Sequence, residues 1–330
     1  MGDYTKEQDA KRMQRIFSKI DYLIETSKGY VVLDAEIETP TMRRTYVSNL
    51  HVLRDFLMTK KLEGCSSETL DGYRVTLQTF FAYVHKDVKN ITANEIRDYL
   101  SDYQTRKKIV NRSVDSIRRT LSSFFNYLED EDIITKSPMR KIHHIKYDKI
   151  IQKPFSEEEI EKLRDYCMKT HRIRDLAIIE FLNSSGVRVS ELVNIDIDDL
   201  DLHDRECVVF GKGSKERVVY FDANSAIHIQ QYLKTRDDDN PALFVSEKEP
   251  PSRLNLGGIE TICRTIGKIC EIDDCHPHRF RRTLATRLIE RGVPIEHVQK
   301  ILGHSKIDTT LIYAQVSQES VKLSHTKYCS

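Results

Sequence analysis

Residues 207–221 read Cys-Val-Val-Phe-Gly-Lys-Gly-Ser-Lys-Glu-Arg-Val-Val-Tyr-Phe. Cys207 to Phe210 and Arg217 to Phe221 are rich in β-branched and aromatic residues, and glycines at 211 and 213 fall between them. The pattern predicts a β-hairpin with a longer, glycine-bearing loop. Outside the hairpin the signals are helical, so residues 155–330 read as a mainly helical domain with one small sheet. That domain opens at Ser156, an N-cap followed by Glu157, Glu158 and Glu159, with Glu159 completing a capping box. Towards its other end, Gly292 and Pro294 mark the stop of one helix and the start of a short one. Gly303 falls at the C′ position of that short helix, and Asp308 caps a last short helix carrying Tyr313.

Before the hairpin domain the apolar residues recur at helical spacing. Met13, Ile16, Phe17, Ile20, Leu23 and Ile24 make an amphipathic N-terminal helix, read with the irregular stretch after it as an extension over 1–39. Four further stripes follow: Tyr46 to Leu57, Leu70 to Val84, Ile96 to Tyr103, and Val114 to Leu128. They predict a compact helical bundle over 40–135, with the aromatic residues serving as core. From Lys136 to Pro154 the periodicity stops and Lys, Arg and His dominate between prolines, so 136–154 reads as a linker.

The chain has 330 residues, enough for about two domains. No apolar run approaches the ~18–20 residues of a membrane span, and the charged start, Met1 to Arg15, lacks a secretory signal's hydrophobic stretch, which predicts a cytoplasmic protein. Seven scattered cysteines predict reduced thiols. Cys270, Cys275, His276 and His278 lie close in sequence but lack a paired C-x-x-C spacing, so they are read as ordinary residues and no metal is expected. Nor is there a phosphate loop or a carboxylate cluster for two-metal catalysis, and no cofactor is called for.

The polar residues of the second domain form a series. Ser185-Gly186-Val187-Arg188-Val189-Ser190-Glu191-Leu192 is followed, 24 residues after Arg188, by Lys212; His278-Arg279-Phe280-Arg281 comes next, then Leu302-Gly303-His304-Ser305, and Tyr313 lies 9 residues beyond His304. Five boxes in this order and at these intervals resemble the tyrosine recombinase family, the phage integrases and Xer-type enzymes, over roughly residues 40–325. The resemblance implies a helical, SAM-like core-binding domain joined to a tyrosine-recombinase catalytic domain, the two forming a C-shaped clamp on DNA. It implies that Arg188, Lys212, His278, Arg281, His304 and Tyr313 are catalytic, with Glu191 behind them holding the site together. Arg282 stands where the family commonly has His or Lys, and Phe280 replaces a frequent Leu; these departures bear on DNA contacts more than on chemistry.

The chemistry accounts for the residue types. A tyrosine hydroxyl, pKa about 10, is a weak nucleophile at neutral pH, so the site must favour phenolate and stabilise charge growing on phosphorus. Arginine forks suit the non-bridging oxygens of a phosphodiester. A loop lysine can protonate the departing 5′ oxygen, and two histidines can exchange a proton with Tyr313 or hydrogen-bond the phosphate. The implied reaction is a transesterification through a 3′-phosphotyrosyl link, needing neither ATP nor metal. The same residues also suit a type IB topoisomerase-like nicking-closing enzyme, and the fold suits a catalytically idle DNA-binding regulator.

The resemblance implies double-stranded DNA as partner, at two recombination sites, and a homo-oligomer, a tetramer held by the C-terminal tail Ala314 to Ser330. A formal net charge of +1 does not oppose this, because 52 basic and 51 acidic residues are unevenly spread. Residues 1–150 hold 26 basic against 22 acidic ones, and Arg106 to Lys149 alone holds 11 against 6. Arg118, Arg119, Lys141, Lys146, Lys215, Arg217, Arg279 and Arg282 are the DNA-binding candidates, with Arg217 read as a phosphate contact or strand-end charge.

Overall fold

The computed structural model describes residues 2–28, 40–147, 153–211, 216–304, 307–311 and 313. The chain divides into two compact units, Met1–Ile150 and Ile151–Ser330.

The first unit has five α-helices and no strand among its described residues: α1 (Gly2–Lys28), α2 (Pro40–Leu62), α3 (Ser67–Val84), α4 (Ala93–Lys107) and α5 (Asn111–Asp130). Each predicted stripe supplies its core. Leu50, Leu53, Phe56 and Leu57 from α2, Leu70, Leu77, Phe80 and Phe81 from α3, Ile96 and Tyr99 from α4, and Leu121, Phe124 and Phe125 from α5 are all buried in one cluster. The aromatic rings meet edge to face, Phe56 on Phe124 at 5.4 Å and 87°, Phe81 on Phe124 at 5.5 Å and 61°. Met13, Ile16 and Ile20 of α1 lie in the same cluster, so the N-terminal helix shares the bundle's core. The next segment is tied down through its backbone: Arg97 donates to Lys141 O, Asn111 to Lys146 O, and Ile145 N to the buried Asp115.

The second unit contains α6 (Glu157–Lys169), α7 (Ile173–Ser185), α8 (Val189–Leu192), β1 (Leu200–Asp201), β2 (Glu206–Phe210), β3 (Glu216–Tyr220), α9 (Ala223–Lys234), α10 (Leu256–Ile269), α11 (Pro277–Glu290), α12 (Ile295–Leu302) and α13 (Asp308–Leu311). The capping box at the start of α6 is present, Glu159 N donating to Ser156 Oγ and Ser156 N to Glu159 Oε2. Every residue from Leu176 to Asn183 on α7 is buried, as expected of a helix that other elements enclose on all sides. The hairpin predicted at 207–221 is β2 and β3, antiparallel in the register Val209↔Arg217 and Cys207↔Val219. The two-residue β1 adds a third strand in the order β1-β2-β3, too short to leave a periodic signal.

Candidate active site

The site is built on the end of a short helix. An α-helix leaves its last carbonyls without intrahelical partners and carries partial negative charge there. α12 ends at Gly303, whose φ of 63° lies in the left-handed region. Three consecutive carbonyls at this end each receive an arginine from a different element. Arg217 on β3 donates to Ile301 O at 2.8 Å, Arg281 on α11 donates to Leu302 O, and Arg188 at the start of α8 donates to Gly303 O at 2.8 Å.

Glu191 sits behind two of these arginines and is 2% exposed. Its Oε1 accepts from Arg188 Nη1 at 2.8 Å, and its Oε2 accepts from Arg217 Nη2 and from the Arg188 backbone N–H, at 2.8 and 2.9 Å. Burial opposes its charge, but the hydrogen bonds and positive charge of Arg217 and Arg188 outweigh burial and hold the carboxyl below its ordinary range. Arg281, 1% exposed, also donates to Gly186 O at 2.6 Å. Burial and then the fields of Arg188 and Arg217 push its pKa down. A guanidinium stays protonated in proteins, so Arg281 keeps its positive charge here. Within the described hydrogen-bonding set, three guanidiniums face one carboxylate.

Two glycines make the approach possible. Gly186, the C-cap of α7 with φ 58°, turns its carbonyl to Arg281, and a Cβ there would lie 2.8 Å from Leu284 Cδ2. A Cβ on Gly303 would lie 2.6 Å from Arg217 Cδ and 2.7 Å from its Nε. Left-handed φ and close contact both demand glycine at these positions.

His304 follows the turn and is buried. Its Nδ1 lies 2.8 Å from Thr310 Oγ1, and its ring stacks on Tyr313 with centroids 6.1 Å apart and planes at 24°. Burial, followed by the charges of Arg281 and Arg188, pushes its pKa down to about 4, so the imidazole is neutral at pH 7. Tyr313 is half-buried against Ala285, Val298 and Leu302. His278 lies in the first turn of α11, its ring 6.4 Å from that of His276. Partial loss of solvent, then Arg281 and Arg282, lower its pKa too.

Of the residues predicted as catalytic, Arg188, His278, Arg281, His304 and Tyr313 belong to this one neighbourhood, with Glu191 behind them. Lys212 and Lys215 lie outside the described residues, between the ends of β2 and β3, as does the tail 314–330.

Several predicted DNA contacts are otherwise engaged. Arg279 is 7% exposed; it donates to Glu159, Asp273 O, Lys153 O and Pro154 O, and its guanidinium lies 4.0 Å from the centre of the Phe155 ring. It straps the start of the second unit to α11, which commits its donors within the protein. The fork of Arg217, read from the sequence as a phosphate contact or strand-end charge, is engaged by Glu191 and Ile301 O. Arg282 is buried beside Lys153 O, and Arg118 pairs with the buried Asp115 at 2.7 Å. Arg119, Lys141 and Lys146 remain on the surface of the first unit, Arg119 within 3.4 Å of Asp115. The signal for Arg217 was available in strand alternation: it shares the inward face with the buried Val219, a position where a lone arginine needs a buried partner.

The architecture agrees with what the chain resembles. Residues 141–320 match the phage integrase family, and residues 52–135 match the phage integrase N-terminal SAM-like domain. The tyrosine recombinase XerC of Leptospira interrogans is 32% identical over 286 residues, covering 83% of this chain and 91% of the relative. The XerC of a bovine Staphylococcus aureus strain is 34% identical over 285 residues, covering 82% and 94%. The chain belongs to the tyrosine recombinases of the phage integrase family. It is a site-specific, Xer-like recombinase, an enzyme that cleaves and rejoins DNA strands.

Solved recombinases share the fold. The Tn1549 transposon integrase bound to transposon right-end DNA superposes with a TM-score of 0.71 at 18% identity, covering 84% of this chain and 99% of that one. XerH in a post-cleavage complex with palindromic difH gives 0.66 at 18%, covering 96% of each. No helix among the described residues of this recombinase is long and apolar enough to cross a membrane.

Proposed function

We propose that this recombinase breaks a DNA phosphodiester by attack of Tyr313 Oη on phosphorus. The P–O5′ bond breaks as the Tyr313 O–P bond forms, leaving a 3′-phosphotyrosyl link, and the 5′ oxygen departs with the electron pair and takes a proton from Lys212. Arg188 and Arg281 hold the non-bridging oxygens and stabilise their growing charge. The neutral rings of His304 and His278 accept and return the Tyr313 proton or hydrogen-bond the phosphate. A 5′-hydroxyl from a partner strand reverses the step and rejoins the DNA. The bond energy stays in the covalent link, so the cycle is balanced without nucleotide or redox chemistry.

The observation that carries this reading is the trio of arginines on the last carbonyls of α12, short of counter-charge and set beside His304 and Tyr313. We assign a core-binding domain over 40–135, a linker over 136–154 and a catalytic domain over 155–330, with double-stranded DNA as the partner. Exposed Arg119, Lys141 and Lys146 serve the backbone phosphates. The tail beyond Gln315 docks a neighbouring protomer, so that strand exchange runs in a tetramer on two sites. A half-site carrying a nick, from which the freed oligonucleotide diffuses away, tests the core of the proposal. The wild type accumulates a covalent protein–DNA band and Tyr313→Phe forms none; a band of equal yield from the variant refutes the assignment.

A further inference from the structure

Arg217 was not among the residues expected to act in the chemistry, yet it is held more completely than a surface base contact needs. Its Nη2 and Nε reach Glu191 at 2.8 and 3.4 Å, its Nη1 reaches Ile301 O at 2.8 Å, and its stem crosses the bare Cα of Gly303. Its side chain is 14% exposed. Each contact bears on a neighbour assigned to the reaction. Glu191, fixed by Arg217 on one side, fixes Arg188 on the other through its side chain and backbone N–H. Gly303, pressed by Arg217, gives its carbonyl to Arg188 and leads directly into His304.

We infer that Arg217 is a positioning residue for strand cleavage: it sets the fork of Arg188 and the Gly303–His304 turn without touching DNA. This rests on the tyrosine-recombinase reading of the site. The physical case is one of restraint. A carboxylate shared by two guanidiniums has its orientation fixed from two sides, and removal of one leaves the other free to rotate with it. The turn loses a donor on Ile301 O and the stem packed over Gly303 at the same time. Lysine in place of Arg217 supplies the charge as a single point and cannot span Glu191 and Ile301 O with one planar fork.

The test compares wild type, Arg217→Ala and Arg217→Lys as full-length proteins on the nicked half-site. Binding is titrated over a range of salt, the first-order rate of covalent-complex formation is taken at saturating DNA, and thermal unfolding is followed in parallel. A positioning role leaves the affinity and salt slope of Arg217→Ala unchanged, while the saturated rate falls about 10–100-fold, the size typical of losing a group that orients a reacting ligand. Arg217→Lys recovers part of that rate. A phosphate contact gives the opposite pattern, with affinity down, the salt slope reduced by about 0.9 and the saturated rate intact, and it overturns the inference. So does a rate loss that disappears below the unfolding transition of the variant, which marks a purely structural role. Failure of the wild type itself to form the covalent band overturns the recombinase chemistry first, so the two failures are told apart.

Discussion

Burial of His304 beside the arginine cluster gives this protein's stability an acid limb. In the folded chain its pKa falls from 6.5 to about 4, through burial and the charges of Arg281, Arg188, His278 and Arg217. In the unfolded chain the ring returns to its ordinary value, so between about pH 6.5 and 4 the unfolded state binds more protons. Stability therefore falls as the solution is acidified through that window. The linkage relation gives about 2 kcal/mol lost at pH 5 and about 3 kcal/mol once pH drops below the folded value. His304→Gln removes the titration while keeping a side chain able to reach Thr310 Oγ1. Urea unfolding followed by circular dichroism at pH 7.5 and pH 5.0 is the assay. Any cost of the substitution itself appears at both pH values, so the comparison is the change between them. The wild type loses about 2 kcal/mol more than the variant on going to pH 5.0. Parallel losses in the two proteins refute the reasoning, since they mean that His304 protonates in the folded state as easily as in the unfolded one.

Two further outcomes follow from the packing. Arg279→Ala removes donors to Glu159, Lys153 O, Pro154 O and Asp273 O, together with the stack on Phe155, and lowers the unfolding free energy by about 3–5 kcal/mol. The salt dependence of DNA binding, measured below the variant's unfolding transition, stays as in the wild type, whereas Lys146→Ala in the first unit lowers the salt slope by about 0.9 at unchanged stability. Gly303→Ala places a methyl 2.6 Å from Arg217 Cδ at a left-handed φ. It lowers stability by about 1–3 kcal/mol in thermal melts, and covalent-complex formation slows with it.

Much of the architecture was legible in the chain because it depends on period and local chemistry. The stripes Leu50 to Leu57, Leu70 to Phe81 and Leu121 to Phe125 are buried as their helical spacing requires, since only one face of a surface helix can leave water. Ser156 with Glu159 announced the first helix of the second unit, and Gly303 announced the end of α12, because caps are contacts within four residues. The order Arg188, His278, Arg281, His304, Tyr313 was equally readable.

That Arg217 joins Arg188 and Arg281 at the site was not readable, because its partners, Glu191 and Ile301 O, lie far away in the chain. Arg217 and Arg279 look alike in sequence, both basic residues beside a functional box. Tertiary packing sends Arg217 to Glu191 and the last turn of α12, and sends Arg279 away to Glu159 and the backbone at 153–154. A buried guanidinium must find acceptors for its donors, and backbone carbonyls at a helix end carry no mark in the amino-acid code. The sequence alone determined the elements, their caps and the residue types able to handle a phosphodiester. The fold decided which three guanidiniums converge on Ile301, Leu302 and Gly303, and thereby where positive charge is left waiting for an anion.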